Sequence, residues 1–187
     1  MVPQVPQPAG GDDRIDVTVN DDRALSHEAF TLIYHQKLGI QPTLDAFSSD
    51  ANKLCDKYYT MSEDALAQPW CGEIVHANPP FRGDYIRATI IKGLCDRNKA
   101  PQTTSVTVIM PCWPGSPHSM INTPELAEYT HVHRFQVGEM VFTKPGDRGG
   151  RKAMGGVPWP VDVYHIPAAL ETSVDVSLAA ALHRILC

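Results

Sequence analysis

The sequence predicts an α/β fold built on a largely parallel sheet, and three observations carry that expectation. Thr104–Met110 (TSVTVIM) is a continuous β-branched and apolar run stopped by Pro111, as in a strand buried on both faces. Two shorter runs, Thr43–Phe47 and Glu73–His76, read as strands that each open into a loop. Helical spacing of apolar residues occupies Ser26–Leu38 and Tyr85–Cys95 between them. Strands interleaved with helices are what parallel crossovers need.

Taken in chain order, residues 1–20 read as a disordered arm. Met1–Gly11 is rich in Pro, Gln and Gly, and Asp12-Asp13 follow. Weak alternation at Ile15–Val19 suits a short edge strand. The helix expected at Ser26–Leu38 has Ser26 as N-cap, Glu28 in its first turn and Gly39 just past its end. Its apolar stripe is Phe30, Ile33, Tyr34 and Leu38. Thr43–Phe47 is a buried strand leading into the loop Ser48–Asn52. Tyr85–Cys95 places Ile86, Ile90 and Leu94 on one face, and Glu125–Tyr129 is a short helical piece. Phe135–Phe142 and Val161–Ile166 are expected as a late antiparallel pair, with the loop KPGDRGGRKAMGGVPWP between them. Val174–Leu186 is helical, with Val176, Leu178, Leu182 and Ile185 apolar. The chain therefore divides into an arm at 1–20, a domain at 21–170 and a C-terminal helix at 171–187, the last suited to a protein partner.

Composition narrows the function classes. The chain has 187 residues, 43% apolar and 20% charged, which excludes wholesale disorder. A chain of this size buries roughly 70% of its unfolded surface. No apolar run reaches the ~18–20 residues of a membrane span. MVPQVPQPAGGDDR has neither the basic nor the apolar region of a secretory signal, so an intracellular location, cytoplasm or nucleus, is expected. Five cysteines without a CxxC pair argue against a disulfide framework or zinc ribbon. His131 and His133 can share a strand face but lack a third ligand of matching type, so no metal is expected. The net charge of −5 argues against a module that holds nucleic acid by charge alone. Positive charge is concentrated at Lys144, Arg148, Arg151 and Lys152, in a glycine-rich loop suited to phosphate contact or to a solvated hairpin.

The stretch with the most chemistry is His76-Ala77-Asn78-Pro79-Pro80-Phe81, directly after the Glu73–His76 strand. In open α/β sheets ligands bind at such carboxyl ends. Consecutive prolines remove two amide donors and fix φ near −65°. What remains is an Asn78 amide, a Pro79 carbonyl and the Phe81 ring on a stiff backbone. An exocyclic amine on a base has two hydrogens, and these two acceptors can orient it. Phe81 can stack on an extruded base, worth roughly 1–3 kcal/mol. Arg82, next in sequence, suits a flanking phosphate or a plain surface charge. A stiff turn after a strand is the plainer reading of the same residues.

Asn78-Pro79-Pro80-Phe81 resembles the Asp/Asn/Ser-Pro-Pro-aromatic motif of amino-methyltransferases that use S-adenosylmethionine. Thr43–Lys53 (TLDAFSSDANK) resembles a segment of the phage Dam-type DNA N6-adenine methyltransferases. Tyr58-Tyr59-Thr60 and Glu63–Trp70 (EDALAQPW) resemble a second block of that family, at the family's spacing from the proline pair. The likeness runs over about Ser26–Phe142. Past Met110 it is to retroelement-encoded relatives, through Pro111–Pro117 (PCWPGSP). The proline-pair variant is also similar to that of eukaryotic adenosine methyltransferases acting on RNA.

The resemblance implies a Rossmann-like class I methyltransferase fold, mostly parallel with a late antiparallel strand pair. It implies transfer of a methyl group from S-adenosylmethionine to adenine N6 by in-line displacement, with DNA as the first substrate and RNA as the alternative. Asn78, Pro79, Pro80 and Phe81 would hold the target. Asp45 would bind the methionine or ribose end of the cofactor, with Ala46, Phe47 and Asn52 lining the site and Asp64 near its ribose or adenine. Apart from the resemblance, the positive charge of Arg82, Lys144, Arg148, Arg151 and Lys152 suits contact with nucleic acid. The chain departs from the dinucleotide fingerprint, since no GxGxxG follows Leu44-Asp45. That departure leaves open a second reading, a catalytically degenerate interaction module of a larger polyprotein or complex.

Overall fold

The computed structural model describes residues 23–113, 123–145, 151–169 and 171. The arm expected at 1–20, the Ile15–Val19 strand, Arg148 and the Val174–Leu186 helix lie outside the described residues.

Strand β1 (Ala24–Leu25) leads into α1, His27–Phe30, which continues in wider turns over Thr31–Leu38. Ser26 caps it as the sequence predicts, its hydroxyl accepting the Ala29 N–H at 3.2 Å. Gly39 ends it at φ 65°, the left-handed region that glycine reaches at least cost. Then come β2 (Leu44–Asp45), β3 (Lys57–Tyr58), β4 (Ile74–Ala77), α2 (Gly83–Lys99) and β5 (Ser105–Pro111). The remaining strands are β6 (Thr130–Phe135), β7 (Phe142–Pro145), β8 (Arg151–Ala153) and β9 (Val161–Ile166).

Six strands form a central sheet in the order β3-β2-β4-β5-β9-β6. The pairings among β3, β2, β4 and β5 are parallel, and β9 runs antiparallel to both β5 and β6. The predicted mostly parallel α/β sheet with a late antiparallel pair is therefore present. β2 has only two residues, yet flanking bonds lengthen its hold: Thr43 N–H to Ile74 O at 2.8 Å and Ala46 N–H to His76 O at 2.9 Å. A second sheet, β1-β7-β8, is antiparallel throughout.

Two late elements differ from the sequence reading. The strand expected over Phe135–Phe142 lies upstream, at β6. Beyond Phe135 the chain turns, with Glu139 N–H on Gln136 O at 3.2 Å and Gly138 at φ 91°. The loop expected between the late strands contains β8 and the end of β7, which form a hairpin whose polar residues hide its pairing.

The core has two halves, one on each face of the sheet. Val75, Ala77, Val106, Val108 and Met110 pack with Ile86 and Ile90 of α2. Ile109, Val161 and Val163 pack with Leu25, Phe30, Ile33 and Tyr34 on the α1 side. Burying each such side chain contributes about 1.5–3 kcal/mol. Among the described residues no helix is long and apolar enough to cross a membrane.

Candidate active site

The parallel strands bring Asp45 and Asn78 to one end of the sheet. Asp45 is the last residue of β2 and pairs in register with His76 of β4. Asn78 stands two residues beyond His76, just past the end of β4. Adjacent strands are about 4.8 Å apart and two residues advance about 6.6 Å, so Asp45 and Asn78 are close neighbours at the carboxyl end. Alternation along β4 sends His76 to the face opposite Ala77, the α1 face. Asp45, in register with His76, shares that face. Asn78 reaches it too, because its Nδ2 donates to the carbonyl of Arg23 at 2.9 Å, immediately before β1.

Both polar groups are withdrawn from water. Asp45 is 2% exposed and its Oδ2 accepts the Leu54 N–H at 3.0 Å. Asn78 is 8% exposed, and its Oδ1 is buried with no donor among the described residues. Ser48 Oγ, in the loop after β2, is likewise buried without a partner among them. An unsatisfied buried polar atom costs about 1–3 kcal/mol, so two of them flanking the strand ends suit a site completed by a ligand.

The proline pair behaves as its chemistry dictates. The Pro80 carbonyl is occupied by the Arg82 N–H at 2.7 Å, whereas no described residue donates to Pro79. Pro79 is buried and Pro80 half-buried. Phe81 is half-buried, its ring edge-to-face on Phe142 of β7 with centroids 5.8 Å apart. The Arg82 side chain is exposed, pairs with Asp84 at 3.0 Å and lies over the Tyr85 ring.

The loop side of the site is more structural. Ala46 is fully buried and its N–H is bonded to His76. Phe47 packs edge-to-face on Trp70 at 6.1 Å. Asn52 is buried, and its Oδ1 accepts the Ser49 N–H at 2.7 Å, which closes the Ser48–Asn52 loop. Asp64 is exposed on a turn at φ 51°, its Oδ1 accepting the Leu66 N–H at 3.2 Å. The next residue, Ala65, is buried in the same cluster as Ala46.

The basic group lies on the second sheet. Lys144 of β7 and Lys152 of β8 are directly opposite, the first half-buried and the second exposed. Arg151 opens β8. His131 and His133 do not share a face. A register shift between them sends His131 onto Tyr164 and Asp162, and His133 onto Phe135.

A buried polar layer that no local motif marks lies beneath the site. Asp45, His76, Thr107 and His165 form one in-register row across four strands. Tyr34 Oη and His76 Nδ1 share a hydrogen bond of 2.6 Å, and Thr107 Oγ1 meets His165 Nδ1 at 3.0 Å. Burial pushes the Tyr34 hydroxyl well above the usual phenol range, against a hydrogen bond from Thr107 and with the added charge of Asp45. Burial, then the charges of Asp45, Asp56 and Glu73, push the Cys55 thiol up to about 12. That thiol stays protonated at neutral pH and is no nucleophile. A period-two reading of His76 and Asn78 was the available signal for this layer.

Residues 18–112, just over half the chain, match the family model described as DNA N-6-adenine-methyltransferase (Dam). No curated protein matches the chain. The matched span contains β2 through β5, and so both Asp45 and the Asn78–Phe81 turn. The chain belongs to the Dam DNA N6-adenine methyltransferase family, a family of enzymes.

Proposed function

We propose that this chain transfers a methyl group from S-adenosylmethionine to N6 of adenine in DNA, at the carboxyl end of β2 and β4. The observation that carries the reading is the buried Asn78 Oδ1, an acceptor with no donor among the described residues, beside the buried Asp45 carboxyl. A six-stranded sheet in which only β9 opposes the parallel set supports a Rossmann-like class I methyltransferase fold.

S-adenosylmethionine supplies an electrophilic methyl group on a sulfonium. Asp45 holds the methionine or ribose end of that molecule, with the Ala46–Ser48 backbone, Asn52 and Asp64 shaping the loops around it. Asn78 Oδ1 and the Pro79 carbonyl accept the two N–H groups of the target amine and turn its lone pair out of conjugation with the ring. The stiff proline backbone holds both acceptors without reorganisation, and such positioning supplies most of the rate. Phe81 stacks on the base, which leaves the duplex to reach the site. Lys144 and Lys152, like charges placed directly opposite, suit a shared phosphate, with Arg82, Arg148 and Arg151 as further contacts.

The test is transfer of labelled methyl to an adenine-containing duplex, with cofactor affinity measured by calorimetry. N78A is expected to lower the rate by about 10²–10³-fold while leaving cofactor affinity intact. D45A is expected to weaken cofactor affinity by roughly tenfold or more, as the charged group is removed. Near-full activity of N78A on every adenine substrate overturns the mechanism. Absence of S-adenosylmethionine binding at millimolar concentration instead supports the degenerate interaction module.

A further inference from the structure

Asparagine and aspartate have almost the same shape, and they differ in whether one end can donate. At Asn78 that difference is decided by a neighbour. Its Nδ2 lies 2.9 Å from the Arg23 carbonyl oxygen, and two oxygens at that distance would repel. The amide is therefore held with Nδ2 toward Arg23 and Oδ1 turned away. The carbonyl that imposes this is itself fixed. Arg23 leads into β1, which pairs with β7, and the Ser26 N–H bonds Val141 O at 2.8 Å. The same β7 carries Phe142, against which Phe81 packs. The small sheet thus holds both ends of the Asn78–Phe81 turn.

We propose that the peptide carbonyl of Arg23 is the positioning group of the acceptor amide, and that it makes asparagine rather than ionised aspartate the side chain this site requires. The inference rests on the proposed methyl transfer for its catalytic consequence, but not for the contact itself. An ionised carboxylate in place of the amide has no hydrogen for Arg23. A protonated carboxyl has one, and its other oxygen remains an acceptor in the place of Oδ1. Asp45 and His76 share the face of Asn78, Tyr34 stands beneath from α1, and Arg23 and Arg82 flank the site in the chain. All of these are present in the wild type and in N78A, which serve as controls.

The experiment compares wild type, N78D and N78A from pH 5.5 to pH 9, by methyl transfer to duplex DNA and by thermal unfolding. N78D is expected to fall about 100-fold below wild type at the alkaline end. The deficit should shrink by about tenfold per pH unit as the introduced carboxyl gains its proton, while N78A shows no such recovery. In unfolding, the introduced carboxyl holds its proton more tightly in the folded chain than its unfolded value of about 3.9. Its contribution is full below that value and is lost as pH rises through the raised folded value, so the N78D midpoint should approach wild type on acidification. A pH-independent N78D midpoint deficit, N78D equal to wild type at alkaline pH, or N78D unfolded at every pH where N78A folds overturns the proposal. If wild type itself transfers no methyl, the proposed function fails, and the unfolding comparison still decides the role of the Arg23 carbonyl.

Discussion

Asp96 is an acid whose whole environment is arranged around its charge. It is buried in α2, accepts Lys92 Nζ at 2.5 Å and Lys99 Nζ at 2.8 Å, and takes the Trp70 N–H at 3.1 Å. Burial pushes its carboxyl up, but Lys92, Lys99 and the Trp70 amide outweigh this and hold it below the usual carboxylate range. The contribution is present above the unfolded value of about 3.9 and is lost as pH falls through the depressed folded value. D96N is expected to be destabilised by about 2–4 kcal/mol at pH 7, since both lysines and a buried N–H are deprived of their anion. Its deficit relative to wild type should shrink below about pH 4, as read by denaturant unfolding at each pH. Asn78 differs from Asp96 in kind. A polar atom that the fold satisfies stabilises it, whereas the buried Asn78 Oδ1, with no donor among the described residues, costs stability. In the sequence both kinds look alike, as one polar residue among apolar ones.

At the scale of elements, α2 lies close against the sheet because Gly93 lets it. A Cβ there would collide with the Tyr129 hydroxyl and press on Val106 of β5. Tyr129 donates its hydroxyl to the Ile90 carbonyl at 3.0 Å, so the collision falls on a bonded, buried ring. G93A would ordinarily favour a helix by up to about 1 kcal/mol. Here it is expected to destabilise by about 1–3 kcal/mol, measured by chemical unfolding, because the overpacking outweighs the propensity gain. The strand at Thr130–Phe135 illustrates the opposite case. Its sequence, THVHRF, has no clean apolar alternation, since it is a sheet edge with a bulge between His131 and His133. It is joined to β9 by Asp162, which accepts Arg134 Nε at 2.7 Å and Nη2 at 2.8 Å. That pairing depends on two residues 28 positions apart and leaves no local mark.

Across the whole molecule, an acidic chain must bind an acidic substrate. The net charge of −5 gives no general attraction, so local cations have to supply it. The β7–β8 hairpin is suited to this, and it is also continuous with the candidate site: β7 pairs β1, and β1 follows the Arg23 carbonyl on Asn78. K144A/K152A is expected to weaken DNA binding on all sequences alike. The slope of log affinity against log salt should fall by about one, for the single phosphate that the two lysines no longer neutralise. A salt series by fluorescence anisotropy reads this directly, and an unchanged slope would exclude the hairpin from the DNA interface.

The α/β class, the parallel centre, the two long helices of the described residues to within a few positions, and the motif segments that mark the Dam family are all legible in the amino-acid order. Those features are written locally, in runs of β-branched residues, in three-and-four spacing and in a proline pair after a strand. Which polar residues meet is not legible there. Only strand register puts Asp45 beside His76, only the β1–β7 pairing brings the Arg23 carbonyl to Asn78 across 55 residues, and only the alternation of paired strands sets the polar row on the face away from the α2 half of the core. Contacts between residues far apart in the chain depend on how strands pair, and pairing is a property of the folded whole.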